Sequence, residues 1–107
     1  MIQIAWIHLN GQEGKPMDAV KALYWYEKAI DKGDITAMPR IGNLYYQGEY
    51  GVAKDYAKAA EYYESYYENE KKNEAYLDNL IEIYSRGGYG IIKDKEKAKY
   101  WKNIRIN

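Results

Sequence analysis

The chain has 107 residues, and its 16 lysines and arginines balance 16 aspartates and glutamates, so the formal net charge at pH 7 is zero. This balance excludes a sequence-independent nucleic-acid binder, which needs surplus positive charge to displace counterions from phosphates. Cysteine is absent, which excludes disulfides, thiolate catalysis and zinc–thiolate sites. No segment approaches the roughly 18 consecutive apolar residues of a membrane span, and the N-terminus lacks the features of a signal peptide. We therefore expect a cytoplasmic protein of one domain, without membrane attachment.

The first predicted element is a short helix over about residues 2–10, with Ile4 and Ile7 on one face. A glycine turn follows it, and Asp18 marks the start of a second predicted helix. The first helix carries His8, the only histidine of the chain. Because later copies of this segment have tyrosine at that position, we interpret His8 as a ring at the edge of the core.

The next predicted helix covers about residues 37–47, where apolar side chains follow the spacing of one helix face. Pro39 is tolerated only in the first turn of a helix, so we place the start of this helix near Thr36. Gly48 then stands where a left-handed residue commonly ends a helix.

The partner of that helix is predicted over about residues 55–69. Asp55 stands where a carboxylate can accept the free N–H groups of a first helical turn. Four apolar or aromatic residues are expected on its inner side: Ala59, Tyr62, Tyr63 and Tyr66.

A tandem repeat organises the whole chain. The pattern Gly-x-x-Gly, Asp, Lys-Ala recurs with intervals of 37 and 39 residues: Gly11, Gly14, Asp18, Lys21 and Ala22; Gly48, Gly51, Asp55, Lys58 and Ala59; Gly87, Gly90, Asp94, Lys97 and Ala98. Helix pairs of this size cannot close a core alone and must stack into a solenoid. The predicted domain therefore spans residues 1–107, with repeats at about 1–33, 34–72 and 73–107.

The segment IGNLYYQGEYGVAKDYAKAAEYY, residues 41–63, resembles a Sel1-like repeat. The other copies depart from this pattern, with Ala5 and Ile81 in place of the helix glycine. Tyr76 replaces a residue that is usually small, which predicts looser packing or a wider helix spacing there. The resemblance implies an all-α fold, an α/α superhelix forming a short right-handed solenoid of three repeats. It also implies a scaffold or adaptor without catalytic activity.

No constellation of residues indicates catalysis, a metal site or a cofactor. His8 has no second histidine or cysteine to accompany it. The many carboxylates on the second copy's downstream helix are interpreted as a solvated face, and Gly87 to Gly90 repeat the turn seen twice before. We therefore expect no enzyme activity, no metal and no cofactor.

The candidate binding surface is the set of non-core positions on the upstream helix of each repeat. Stacked helix pairs turn these helices toward the concave side. The positions form four rows across the repeats: Gln3, Arg40 and Asn79; Trp6, Asn43 and Glu82; Leu9, Tyr46 and Ser85; Asn10, Gln47 and Arg86. Amides and arginines beside aromatic rings suit the recognition of peptide backbone and carboxylates. The leading hypothesis is a protein or peptide partner bound on this concave surface.

Two alternatives and one open question remain at this stage. A short protein of this type could be an immunity protein that neutralises a cytosol-acting toxin, an analogy based on size. The chain could also self-associate, because the stack is expected to lack polar caps at both ends. A charge balance of −2 over residues 37–74 and +3 over residues 75–107 would favour a charged partner or head-to-tail contact. The expectation of bare ends also fits a partner that covers one end, or a piece of a longer array.

Overall fold

A computed structural model describes residues 18–48, 51–70 and 75–106. These residues form five helices: α1 (Ala19–Asp31), α2 (Ala37–Gln47), α3 (Tyr56–Glu70), α4 (Ala75–Arg86) and α5 (Lys95–Ile106). The described part of the chain contains no strand, only an isolated bridge between Gly88 and Ile91 within a turn. The all-α repeat solenoid expected from the sequence is confirmed. The helix predicted over residues 2–10 lies outside the described residues, and the handedness of the superhelix stays a prediction.

Each downstream helix begins at the aspartate of the repeat. The Asp18 carboxylate accepts the Lys21 N–H at 3.1 Å, Asp55 accepts the Lys58 N–H at 3.0 Å, and Asp94 accepts the Lys97 N–H at 3.0 Å. These three hydrogen bonds satisfy N–H groups that the first helical turn leaves without a backbone partner. The predicted role of the aspartate as a helix cap is confirmed in all three copies.

The turn within each described repeat has one fixed geometry. Gly48 and Gly87 end α2 and α4 with φ of 65° and 71°, and each N–H donates to the carbonyl four residues earlier. A Cβ at Gly48 would lie 2.4 Å from that of Lys54, so glycine is required both by the left-handed backbone and by the crossing chain. The Asp55 N–H donates to the Tyr45 carbonyl at 2.9 Å, which closes the turn.

Each turn also packs against the preceding repeat. A Cβ at Gly51 would lie 3.3 Å from Val20 of α1, and one at Gly90 would lie 3.3 Å from Ala57 of α3. The Tyr89 carbonyl accepts the N–H of Tyr56 at 2.9 Å, which satisfies another free donor at the start of α3. The turns therefore join neighbouring repeats as well as the two helices of one repeat.

The upstream helix α2 begins at Ala37 and is preceded by Thr36, as the position of Pro39 predicted. Pro39 lies in the first turn, where its missing N–H has no intrahelical acceptor. Before the helix, the Asp34 carboxylate accepts both the N–H of Thr36, at 3.2 Å, and its hydroxyl, at 2.5 Å.

Tyrosine rings and small residues fill the core between the helices. One cluster joins α1 and α2, and a larger one joins α3, α4 and α5. Tyr76 of α4 is buried, stacked on Tyr63 at 5.8 Å and edge-on to Tyr66 at 5.4 Å. The expectation of looser packing at Tyr76 is wrong, because its ring fills the space between α3 and α4. Of the inner positions predicted on α3, Tyr62 is only half-buried.

The face of α5 that corresponds, by the repeat register, to the buried face of α3 is polar. Four positions on α3 are at most 9 % exposed: Tyr56, Ala60, Tyr63 and Tyr66. Their equivalents on α5, 39 residues later, are all exposed and cationic: Lys95, Lys99, Lys102 and Arg105. Beside α5 the expectation that no polar surface covers the stack is therefore wrong, because the face of this helix that would continue the core is charged. No helix in the described ranges is long and apolar enough to cross a membrane.

Candidate partner-binding groove

The upstream helices α2 and α4 lie side by side and present matching stripes of polar residues. The α2 stripe is Arg40, Asn43 and Gln47, and the α4 stripe is Asn79, Glu82 and Arg86. In each stripe the residues are three and four positions apart, so they lie on one face of their helix. We call the surface between these two stripes the groove.

The two stripes are connected through the hydroxyl of a tyrosine whose ring is buried in the core. The Tyr63 hydroxyl donates to Asn43 Oδ1 at 2.5 Å, and Asn79 Nδ2 donates to the same hydroxyl at 3.0 Å. Asn79 Nδ2 also lies 3.4 Å from Asn43 Oδ1. The ring of Tyr63, a residue of α3, is fully buried, so its hydroxyl holds both amides from the core side. This arrangement joins three helices and two repeats through one hydrogen-bond network.

Burial raises the pKa of the Tyr63 hydroxyl, and the hydrogen bond from Asn79 partly offsets that increase. The hydroxyl therefore stays protonated and keeps donating to Asn43 throughout the neutral range. With Asn43 Oδ1 accepting this proton, its Nδ2 donors are left for another acceptor. No group among the described residues takes up those donors or the Asn79 carbonyl oxygen.

The ends of the groove are charged and exposed. Arg40 and Gln47 are exposed on α2, one turn to either side of Asn43. On α4, Arg86 Nη1 lies 3.3 Å from Glu82 Oε1, and both side chains keep contact with solvent. Such an exposed pair contributes little to stability.

Tyr46 does not belong to the open surface of the groove. It is half-buried, packs against the core, and stacks on Tyr56 of α3 with ring centroids 5.7 Å apart. The prediction that Tyr46 is exposed was wrong, because the start of α3 lies close enough to cover its ring. Asn79 and Glu82 are also half-buried rather than fully exposed, whereas Ser85, the repeat equivalent of Tyr46, is exposed.

The first-repeat members of the predicted surface lie outside the described residues. These are Gln3, Trp6, Leu9 and Asn10; His8, which was predicted at the edge of the core, also lies outside the described residues. The described part of the groove therefore consists of contributions from the second and third repeats alone.

Sequence reasoning missed Tyr63, which it assigned to the core without a polar role. It also missed a second hydroxyl of this kind: Tyr84 of α4 donates to Glu64 Oε2 of α3 at 2.7 Å. Burial, followed by the hydrogen bond and the negative charge of Glu64, raises the pKa of Tyr84. Glu64 had been assigned to a solvated face. The repeat register could have indicated both hydroxyls, because it places Tyr63 and Tyr84 beside neighbouring helices.

The chemistry of the groove is that of recognition. It offers amide donors and acceptors at its centre and cations at Arg40 and Arg86. Among the described residues, no group of three or more His, Cys, Asp or Glu side chains could hold a metal ion.

Two stacked, interlocked helix pairs with a polar surface on their upstream helices define an α/α repeat protein of the interaction-module class. The Sel1 repeat family matches residues 1–34, 36–69 and 82–101. The chain belongs to this family, whose repeats are protein–protein interaction modules and generally non-catalytic. The third match begins one residue after Ile81, where the third repeat departs from the usual glycine.

Two plant proteins are similar to this chain. It is 39 % identical over 99 residues to the ERAD-associated E3 ubiquitin-protein ligase component HRD3B of Arabidopsis thaliana, an alignment that covers 92 % of this chain. It is 39 % identical over 48 residues, 45 % of this chain, to the component HRD3A of the same plant. The aligned segments span 15 % and 7 % of those proteins.

Proposed function

We propose that the chain binds a segment of a protein partner in the groove between α2 and α4. The observation that carries this proposal is the network of Asn43, Tyr63 and Asn79. It holds two amides at the junction of two repeats and directs unused hydrogen-bonding groups outward. A peptide backbone offers alternating donors and acceptors, which match an amide pair of this kind.

The charges at the groove ends refine the expected partner. Arg40 and Arg86 outnumber Glu82, so a segment with an acidic side chain or a terminal carboxylate is favoured. The names of the plant relatives describe components of a multiprotein ligase, and we infer a similar role for this chain as an adaptor that holds one protein beside another. Nothing in the groove or in these relatives favours the toxin-neutralising alternative. The cytoplasmic location stays a prediction.

Site-specific photo-crosslinking tests where the partner binds. A photoreactive amino acid at Gln47 or Arg86 should crosslink the partner, because both positions are exposed at the groove rim. The same group at Lys32, exposed beyond the end of α1, should not. Crosslinking from Lys32 alone would place the partner on another surface.

Charge reversal tests the contribution of the groove to affinity. Arg40→Glu should weaken binding of the crosslinked partner, whereas Lys32→Glu, which changes the net charge equally at an exposed site, should not. Asn43→Ala should also weaken binding, since it removes one member of the amide pair. Equal affinities for all three variants and the wild type would refute the proposal.

A further inference from the structure

A second concave surface lies between the downstream helices α3 and α5. Two adjoining hollows share Glu64, Tyr100 and Trp101. The larger, about 510 Å³, is completed by Tyr67 and Glu68, and the smaller, about 390 Å³, by Glu96 and Lys97. We call this surface the α3–α5 cleft.

Aromatic rings form the apolar wall of the cleft. Tyr67 of α3 meets Trp101 of α5 edge-on, with ring centroids 5.3 Å apart, and Tyr100 meets Trp101 edge-on at 5.1 Å. Trp101 is nearly buried, whereas Tyr100 is 56 % exposed. An exposed ring beside an anchored indole offers a π-face to a ligand at little conformational cost.

Carboxylates make the cleft electronegative. Glu64, Glu68 and Glu96 line it, against one cation, Lys97. The Lys97 ammonium lies 5.2 Å from the centroid of the Tyr84 ring. Glu64 is held in place by the Tyr84 hydroxyl on its Oε2. In the described structure, neither Glu64 nor Glu68 forms an ion pair, so both carboxylates are available to a cationic ligand.

We propose that the α3–α5 cleft binds an arginine side chain from a basic segment of a partner protein. A guanidinium plane can stack on Tyr100 while its N–H groups reach Glu68 or the free oxygen of Glu64. The charge of the cleft selects a cationic ligand, and its aromatic wall favours the planar guanidinium over the compact ammonium of lysine. This site is separate from the groove and does not depend on the function proposed for it.

The test uses the full chain and a short peptide, GSRSG, with blocked ends. Nitrogen–proton correlation spectra resolve the indole N–H of Trp101, which lines the cleft, from those of Trp25 on α1 and of Trp6. The peptide should shift the Trp101 signal in a saturable manner and leave the Trp25 signal in place. A peptide with citrulline in place of arginine keeps the planar shape without the charge and should have no effect.

Variants then locate the contacts. Glu68→Gln and Tyr100→Ala should each weaken peptide binding about two- to fivefold, as expected for loss of an exposed ion or cation–π contact. Circular dichroism should show both variants folded, since both side chains lie at the surface. Glu27→Gln on α1 removes the same charge from an exposed site elsewhere and should leave binding unchanged. An equal response to the citrulline peptide, or equal weakening by Glu27→Gln, would overturn the proposal.

Discussion

The ring of Tyr63 lies directly against the backbone of Gly42, where α3 crosses α2. A Cβ at position 42 would lie 2.6 Å from Cε1 of Tyr63 and 2.8 Å from Cδ1. In the third repeat both partners change together, to Ile81 and Lys102. In the second repeat the large ring therefore lies where the facing helix has no side chain, and the third repeat has isoleucine at that position where the ring is absent.

Gly42→Ala should lower the free energy of unfolding by about 1–3 kcal/mol, because the new methyl group overpacks the crossing. The effect depends on the Tyr63 ring. In a Tyr63→Leu background, which lacks the clashing ring atoms, the same alanine should cost less. Urea unfolding of the four proteins of this double-mutant cycle measures the coupling. Additive effects would show that the glycine serves some other purpose.

Removing one repeat aspartate should destabilise the protein through its helix cap. Asp55→Ala should lower the free energy of unfolding by about 1 kcal/mol, because the Lys58 N–H loses its acceptor. Asp55→Asn should retain most of the stability, since an amide oxygen can accept the same hydrogen bond. Asp31→Ala, at the exposed end of α1, serves as the matched control in thermal or urea unfolding. A loss as large for Asp31→Ala would contradict the capping explanation.

Alkaline conditions should weaken the fold through Tyr63. Burial raises its pKa in the folded state above the ordinary value of about 10, which applies to the unfolded chain. The unfolded state then loses the proton first, so Tyr63 leaves the free energy of unfolding unchanged well below pH 10 and lowers it as the pH rises through about 10 and beyond.

Tyr63→Phe has no proton to lose, so its stability should decline less steeply between about pH 9.5 and 11 than that of the wild type. Urea titrations across this range provide the measurement, with Tyr24→Phe, an exposed ring on α1, as the control. Parallel curves for wild type and Tyr63→Phe would exclude Tyr63 as the source of the alkaline slope.

The cationic face of α5 should keep copies of the protein apart. Replacing Lys95, Lys99 and Lys102 by Tyr, Ala and Tyr, the residues at the equivalent positions of α3, should create an apolar stacking surface. The variant should then self-associate in a concentration-dependent manner.

Light scattering after gel filtration measures the mass of the variant over a range of concentrations. A control that replaces Lys28, Lys32 and Lys93 by alanine lowers the net charge equally but leaves the α5 face intact. If both variants gain mass to the same extent, lost charge rather than the apolar face is responsible.

Much of the fold was predictable because it depends on short-range backbone chemistry. The aspartate caps, the left-handed Gly48 and the position of Pro39 each follow from what a few neighbouring residues permit. The repeat register then places the helices in order. These local rules act independently of the distance between helices, so the sequence pattern was sufficient.

The site was less predictable because it depends on how closely the helices approach. Helical spacing identified Arg40 and Gln47 as exposed, but it could not show that α3 covers Tyr46 or that Tyr63 reaches Asn43. The basic face of α5 is different, since its signal was present in the sequence. Extending the 39-residue register beyond Ala98 to Lys99 and Lys102 would have revealed it.

The two-residue difference between the repeat intervals has a consequence for how this architecture can change. The distance from the turn glycine to the aspartate cap is seven residues in all three copies, as from Gly48 to Asp55. The helices themselves differ, since α1 has 13 residues and α3 has 15. The two extra residues therefore lie at the C-terminal end of the downstream helix, where one repeat is connected to the next. The pitch of the array could therefore be changed at this junction without altering the glycine turns or the aspartate caps.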